Sequence, residues 1–272
     1  MHQPKCAESI IVSSLRDLTL FTVPQFIPKR PTVDTIEATP LIEELQQRFY
    51  ALISRDRLFA ELISRLLSRN AKAVVIGGWV RDQLLSLRGG KLIQPHDIDL
   101  VVDGVDDLQL LELIPVDFKR NIFNGLKVEM SSMPLDIWLL RHTCLIQKLS
   151  LPATFDTLPL TTEFRINSVI FYPAPLWATS KIVDAGCLES ISNQVLDFRT
   201  NQLPFPLVQA ARAVIYGAKL DLRLHAEIRA FIRHICIDRE TIFSIEKGIT
   251  EFCPGPHCES ALALLHQIVA ER

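Results

Sequence analysis

The order of elements between residues 73 and 102 constrains the fold of this chain more than any other feature. The apolar run Ala73–Ile76 ends in Gly77–Gly78, which is typical of a buried strand that enters a tight turn. The spacing of Trp79–Leu87 then predicts a helix, and Ile98–Val102 predicts a second strand. This order predicts an α+β fold in which helices flank a small mixed β-sheet.

Two aspartates, Asp97 and Asp99, stand at the start of the second predicted strand. Because alternate residues of a strand point to one face, their carboxylates are expected to lie together. Carboxylates of this kind can hold two Mg²⁺ ions, which clamp the attacking and leaving oxygens of an in-line displacement. A third carboxylate would complete such a site, and Asp136, in the predicted strand Leu135–Leu139, is preferred over Glu129.

The glycine pair distinguishes this pattern from an ordinary strand end. An Asp-x-Asp pair alone is common at solvated strand ends, and an ordinary strand-to-helix turn needs only one glycine. Gly77–Gly78 lets the backbone approach a phosphate without interference from Cβ atoms. The helix that follows offers N–H groups and the positive end of its dipole to an anion. Together these features predict a triphosphate site beside divalent metals, and therefore nucleotidyl transfer.

The composition is that of a globular protein with no strong bias in charge. Apolar residues make up 48% of the chain, charged residues 22%, and the formal net charge is -2. The net charge gives no general attraction to nucleic acid or to acidic membranes. No apolar run is long enough to span a bilayer, and six cysteines in 272 residues are too few for a disulfide scaffold. We therefore expect a cytoplasmic protein with reduced thiols and no membrane partner.

Three regions are expected along the chain. Residues 1–40 are punctuated by Pro24, Pro28, Pro31 and Pro40 and show little helical periodicity, so they are interpreted as an N-terminal arm. Residues 41–200 contain all the predicted strands and form the expected α+β domain. Helical spacing dominates after Pro206, so residues 201–272 are expected to form an all-helical domain.

The first of these motifs resembles a known family. Gly77–Leu85 matches the Gly-Gly-x-Val-Arg-Asp-x-Leu-Leu pattern in the head domain of tRNA nucleotidyltransferases and poly(A) polymerases, within the DNA polymerase beta superfamily. Asp97–Asp99 stands where that family has its metal-binding Asp-x-Asp. Weaker similarity continues at Glu163–Val169, Asp184–Gly186 and Ala211–Val214, the last of which is similar to part of the family's neck helix.

The resemblance implies a nucleotidyltransferase head followed by a helical, neck-like domain. It implies transfer of a nucleoside monophosphate from an NTP to a hydroxyl, with Mg²⁺, or Mn²⁺ in its place. The implied acceptor is an RNA 3′ end, with tRNA as the family's best-known case. A protein side chain is an alternative acceptor, because small members of the superfamily modify proteins, some as toxins or antiphage factors. Asp97, Asp99 and Asp136 are the expected catalytic metal ligands.

The residues expected to bind the nucleotide are Gly77, Gly78, Arg81, Asp82, Arg165, Asn167 and Arg212. Structural alternatives stay open for four of them. For Asp82 the alternative is that it simply stabilises the N-terminus of its helix, and for Arg81 that it pairs with a carboxylate. Asn167 is also interpreted as a capping or turn amide, and Arg212 as a helix-face residue that pairs with the head domain.

Two segments depart from the family's pattern. Thr161–Thr162 replaces the arginine pair of an Arg-Arg-Asp motif, and Glu163 replaces its aspartate. The Glu-Asp-x-x-Arg set that selects C and A in tRNA-repairing relatives falls on Phe205–Gln209, where only Gln209 can pair with a base edge. These departures leave a non-catalytic nucleotide-binding scaffold as the alternative to an enzyme.

Overall fold

The computed structural model describes residues 19–24, 26, 33–89, 93–121 and 125–271. The strands in these ranges are β1 (Phe21–Thr22), β2 (Asp34–Glu37), β3 (Lys72–Ile76), β4 (Ile98–Asp103), β5 (Phe118–Arg120), β6 (Leu126–Val128), β7 (Leu135–Leu139), β8 (Val169–Tyr172), β9 (Lys181–Asp184), β10 (Val195–Leu196), β11 (Gln202–Leu203) and β12 (Arg223–Leu224). The α-helices are α1 (Pro40–Arg55), α2 (Arg57–Ser68), α3 (Gly78–Gly89), α4 (Asp107–Leu113), α5 (Cys144–Lys148), α6 (Cys187–Asn193), α7 (Pro206–Leu220), α8 (Ala226–Ile235), α9 (Arg239–Phe252) and α10 (Pro256–Ala270).

The chain divides into two compact units. The sheet unit contains the described residues of Pro31–Thr162 and Asn167–Leu188, and the helical unit contains those of Met1–Arg30, Glu163–Ile166 and Glu189–Arg272. The boundaries of these units differ from the predicted ranges 1–40, 41–200 and 201–272. The division of the chain into those three domains stays a prediction. The difference arises because β10 pairs with β12, and β1 with β11, so short segments before residue 201 group with the C-terminal helices.

The sheet unit is built on one eight-stranded sheet with the order β2-β9-β8-β3-β4-β7-β6-β5. Strands β4 and β7 run parallel, and the other neighbouring pairs run antiparallel. One face of the sheet is covered by aromatic side chains from the helices. The ring of Trp79 stacks on Phe171 with 6.4 Å between centroids, and Phe49 lies 6.1 Å from Phe171. The predicted α+β class, a mixed sheet followed by a largely helical part, is confirmed.

The opposite face of the sheet carries an apolar cluster around Val74, Ile76, Val101 and Ile170. The segment after β7 covers this cluster with Ile146 from α5 and with Phe155 and Leu158 from a short 3-10 helix. Val101 follows Asp99 by two residues in β4, so the Asp99 side chain shares this face beyond the edge of the cluster. The apolar packing thus fixes the strand that presents the candidate site.

The helical unit packs α7 with α8, α9 and α10 around buried side chains such as Val214, Phe231, Ile249 and Leu265. Phe164 stacks on Phe198 at 5.5 Å, which ties the segment 163–166 into this core. The unit also contains the two-residue strands β11 and β12, which the predicted all-helical pattern did not include. Among the described residues, none of the helices combines the length and apolarity needed to cross a membrane.

Candidate active site

Asp99 and Asp136 lie side by side on the parallel strands β4 and β7, where they are Cα partners. Paired residues on neighbouring strands point to the same face, so both carboxylates leave the sheet on one side. The pairing of these strands starts beside Asp97, where the Ile98 amide donates to the Pro134 carbonyl over 3.0 Å. Three aspartates are therefore brought to one end of a single sheet face. Within the described residues, no three His, Cys, Asp or Glu side chains are already close enough to hold a metal ion.

The glycine turn faces two of these carboxylates. Gly77 has a φ of +74°, and a Cβ atom placed on it would lie 3.3 Å from Oδ2 of Asp99. A Cβ atom on Gly78 would lie 3.9 Å from Oδ1 of Asp97 and 3.6 Å from Nη2 of Arg81. The carboxylates, the start of α3 and one guanidinium thus surround the same short stretch of backbone.

Arg81 is held from both sides in the first turn of α3. Its Nε donates to Oδ1 of Asp82 and its Nη1 donates to Oδ1 of Asn167, each over 2.7 Å. All three side chains are buried. Asp82 therefore fixes the orientation of Arg81, and Arg81 fixes the amide of Asn167. A contact of Arg81 or Asn167 with a nucleotide stays a prediction.

The electrostatics of the site centre on Asp136. Burial raises the pKa of the Asp136 carboxyl above its ordinary value, and the negative charges of Asp97 and Glu129 raise this pKa further. Lys127 acts in the opposite direction, because its positive charge lowers the pKa of Asp136. An added cation would favour the ionised form in the same way. A cluster of hard carboxylate oxygens with excess negative charge has the donor chemistry that Mg²⁺ prefers.

Glu129, the alternative third carboxylate, is exposed and follows the end of β6. Its charge reaches Asp136, so it belongs to the same acidic region. Asp136 differs from Glu129 in lying directly beside Asp99 in the sheet register. The choice of Asp136 as the third ligand remains a prediction, and this register favours it.

A buried aspartate outside the predicted set supports the approach to β7. Asp56 caps α2 by accepting hydrogen bonds from the amides of Leu58 and Phe59. Its second oxygen accepts from the Ser132 amide over 2.8 Å and from the Ser132 hydroxyl over 2.9 Å. One carboxylate therefore fixes both a helix start and the turn that precedes β7.

Arg165 and Arg212, two of the predicted nucleotide-binding residues, belong to the helical unit. Arg165 is buried and pairs with Glu189 at 2.5 Å and with Asp197 at 3.3 Å. These partners raise the pKa of Arg165 against the effect of burial, which lowers it. The structure thus groups Asp97, Asp99, Asp136, Gly77, Gly78, Arg81, Asp82 and Asn167 in the sheet unit.

Arg212 lies on α7 among polar partners of its own unit. Its Nη1 is 3.5 Å from Oε2 of Glu163 and 3.4 Å from Oε1 of Gln209, and its Nη2 donates to the Tyr216 hydroxyl over 3.0 Å. Gln209 also donates to Oε1 of Glu163 over 3.4 Å. These contacts are all within its own unit, so the pairing of Arg212 with the head domain and its role toward a nucleotide both stay predictions.

Lys127 is the other residue that sequence reasoning missed. It is the Cα partner of Asp136 across β6 and β7, and it is exposed between the buried residues Leu126 and Val128. The alternation of Leu126, Lys127 and Val128 was the available signal. Only the register of β6 against β7 shows that this lysine lies opposite a catalytic candidate.

Comparisons with known proteins identify the fold. No family model and no curated protein sequence matches the chain. Solved structures do match it. The Thermotoga maritima CCA-adding enzyme complexed with tRNA is 16% identical with a TM-score of 0.58, and the match covers 87% of this chain and 55% of that one. A CCA-adding enzyme in complex with ATP is 17% identical with a TM-score of 0.61, covering 87% of this chain and 56% of that one.

A tRNA-processing enzyme in an apo form is 18% identical with a TM-score of 0.55, and the match covers 76% of this chain and 58% of that one. The chain therefore spans somewhat more than half the length of the proteins it matches. Their shared architecture confirms the predicted likeness in fold to the tRNA nucleotidyltransferases.

Substitution of the two glycines should separate backbone strain from close approach. Gly77→Ala should lower the free energy of unfolding by about 1–2 kcal/mol, because an L-residue is strained at a left-handed φ. Gly78→Ala should leave it unchanged or raise it by up to about 1 kcal/mol, since its φ is not left-handed and its Cβ would make ordinary contacts. Chemical denaturation of both variants and the wild type measures this difference. If Gly77→Ala and Gly78→Ala lowered the free energy of unfolding equally, backbone strain at Gly77 would not be the cause.

The pH dependence of stability should report the raised pKa of Asp136. Between the ordinary aspartate pKa and this raised pKa, the folded state binds more protons, so the free energy of unfolding falls as pH rises. Without divalent metal, Asp136→Asn should therefore be more stable than the wild type at neutral pH, and this gain should vanish below about pH 4. Denaturation curves across this pH range check the prediction. Asp103→Asn, at the exposed end of β4, is the control and should follow the wild type.

Proposed function

We propose that this protein is a metal-dependent nucleotidyltransferase that moves a nucleoside monophosphate from an NTP to a hydroxyl at an RNA 3′ end. The observation that carries the proposal is the pairing of Asp99 with Asp136 beside the Gly77–Gly78 turn. Carboxylates next to a glycine turn and a helix start provide neighbouring places for metal ions and for a triphosphate.

The triphosphate is placed by backbone and by Arg81. Gly77 and Gly78 leave room for phosphate oxygens where other residues would have Cβ atoms. The first turn of α3 directs amide groups and the positive end of its dipole toward the same space. Nη2 of Arg81 lies next to Gly78, in an orientation fixed by Asp82 and Asn167, and can contact a phosphate there.

Asp97, Asp99 and Asp136 are the proposed metal ligands, with Mg²⁺ as the expected ion and Mn²⁺ as a substitute. When bound, the ions neutralise phosphate charge and lower the pKa of the attacking hydroxyl. The acceptor oxygen forms a bond to the α-phosphorus, the bond from that phosphorus to the bridging oxygen breaks, and pyrophosphate leaves. Asp136 accepts a hydrogen bond from the acceptor hydroxyl and orients it, and the hydroxyl proton passes to solvent. The protein's contribution is mainly positioning and charge neutralisation.

Arg165, Asn167 and Arg212 are the proposed contacts to the sugar and base of the NTP. The compared structures include a complex with tRNA and a complex with ATP, which support an NTP and a tRNA as partners. None of them supports a protein acceptor. The proposal does not extend to ordered addition of C and A, because Phe205–Gln209 lacks the Asp and Arg side chains that such selection uses.

Loss of any of the three aspartates should strongly reduce transfer. Asp97→Ala, Asp99→Ala and Asp136→Ala should each reduce the rate of label transfer from an NTP to total RNA at least about 100-fold, because each removes a direct metal ligand. Chelation of divalent ions should have the same effect, and Mn²⁺ should restore activity to the wild type only. Asp103→Asn, on the same strand but at its other end, should retain full activity.

Calorimetric titration with NTP and Mg²⁺ distinguishes an enzyme from a scaffold. The enzyme should show NTP binding that depends on metal and is weakened in Asp97→Ala/Asp99→Ala. Binding that needs no metal and survives this double substitution, together with no transfer to RNA, would identify a nucleotide-binding scaffold instead.

A further inference from the structure

Four charged residues form one continuous row across the sheet. Asp99 of β4 is the Cα partner of Asp136 of β7, Asp136 is the partner of Lys127 of β6, and Lys127 is the partner of Lys119 of β5. Partners on successive strands point to the same face. With neighbouring strands roughly 4.8 Å apart, Lys127 and Lys119 lie about 5 and about 10 Å beyond Asp136.

The burial pattern confirms which face carries the row. Leu126 and Val128 are buried on either side of exposed Lys127, and Leu135 and Ile137 are buried on either side of Asp136. The row is thus a polar strip on one face of the sheet, and the residues that flank it along β6 and β7 point into the core on the other face. Lys119 is exposed on the edge strand, where the strip ends.

The row has a direction relative to the proposed chemistry. The Gly77–Gly78 turn and the start of α3 lie on the Asp99 side, so the triphosphate occupies that side. In an in-line displacement, the attacking oxygen approaches the phosphorus opposite the leaving pyrophosphate. The acceptor therefore enters from the Asp136 side of the row, where Lys127 and Lys119 are the next side chains.

We propose that Lys127 and Lys119 bind the phosphates that precede the 3′-terminal hydroxyl of the acceptor strand. This inference rests on the proposed function and extends it to the chemistry that selects the acceptor. A nucleic-acid strand carries one phosphate per nucleotide, and a row of cations at strand spacing can contact successive phosphates. A protein acceptor has no such regular negative charge, so the row favours RNA.

The negative groups around the row are consistent with this arrangement. Leu135 pairs with both Ile98 and Val128, so Asp97, which precedes Ile98, and Glu129, which follows Val128, flank the start of β7 at the same end of the sheet. Asp97, Asp99 and Asp136 form the metal side of the site, and Glu129 lies two residues after Lys127 at the end of β6. Lys127 is the first cation beyond Asp136 on the acceptor side, and its charge already reaches Asp136.

The test measures transfer from a labelled NTP to total tRNA whose 3′-terminal nucleotides have been removed, at saturating NTP. Lys127→Gln and Lys119→Gln are compared with Arg120→Gln. Arg120 provides the matched control because it is exposed on the same edge strand but pairs with buried Leu126, on the opposite face. The same RNA with a blocked 3′ hydroxyl controls for end-specific transfer, and thermal denaturation verifies that each variant is folded.

Each lysine substitution should raise KM for the RNA roughly three- to ten-fold and leave KM for the NTP unchanged. The slope of log KM for the RNA against log salt concentration should decrease by about 0.7–0.9 for each lysine, as expected for one lost phosphate contact. Arg120→Gln should match the wild type in both measurements.

Failure of the row and failure of the proposed function give different results. If the wild type labels RNA but both lysine variants keep its KM and salt slope, the proposed phosphate binding by the row is wrong and the proposed function stands. If the wild type labels no RNA, the proposed function fails, and equilibrium binding of the same RNA then tests the row by itself. Weaker, less salt-dependent binding in the lysine variants would support the row, and binding equal to the wild type would overturn it.

Discussion

The parallel pairing of β4 with β7 is the contact on which the site depends. It places Asp99 beside Asp136, although they are 37 positions apart along the chain. A shift of β7 by one residue would turn Asp136 to the opposite face of the sheet. It would also expose the apolar side chains of Leu135 and Ile137, which are buried now. Two contacts hold the register at its open end, the Ile98–Pro134 backbone bond and the clamp of Asp56 on Ser132. Helix capping and site assembly are thereby coupled through one buried carboxylate.

The same face of the sheet carries an apolar cluster and a group of like charges. The repulsion between these charges opposes folding. Burial and the neighbouring acids both raise the pKa of Asp136, so ionising it opposes folding. The apolar cluster around Ile76 and Val101 anchors the strands that carry these acids. A cation bound beside these acids would offset the negative charge that opposes folding, which is why this face supports the proposed metal site.

The parts of the fold that follow from local pattern could be predicted from the sequence. Ala73–Ile76, the glycine pair and the helix after it each carry their own signal, in side-chain alternation, turn chemistry and helical spacing. Partners distant along the chain carried no such signal. Neither the position of Lys127 opposite Asp136 nor the inclusion of residues 163–166 in the helical unit follows from periodicity. Both features depend on strand register and on core contacts between distant segments, and the local pattern of a single sequence does not show which distant residues pair.

Arg165 and the two lysines of the row differ in how readily they can contact a ligand. Arg165 is buried between Glu189 and Asp197, so a phosphate would have to compete with two carboxylates and with the loss of their hydrogen bonds. The Nε of Arg165 is buried and has no hydrogen-bond partner in the described part of the chain. The side chain therefore keeps one donor, and that donor is held in a fixed orientation. Lys127 and Lys119 are exposed, and a phosphate can reach them without displacing a buried ion pair. Fixed arginines suit the recognition of one small ligand in one orientation, and exposed lysines suit a strand that must enter, react and leave. The exposure of Lys127 and Lys119 therefore supports the proposal that they bind the acceptor strand.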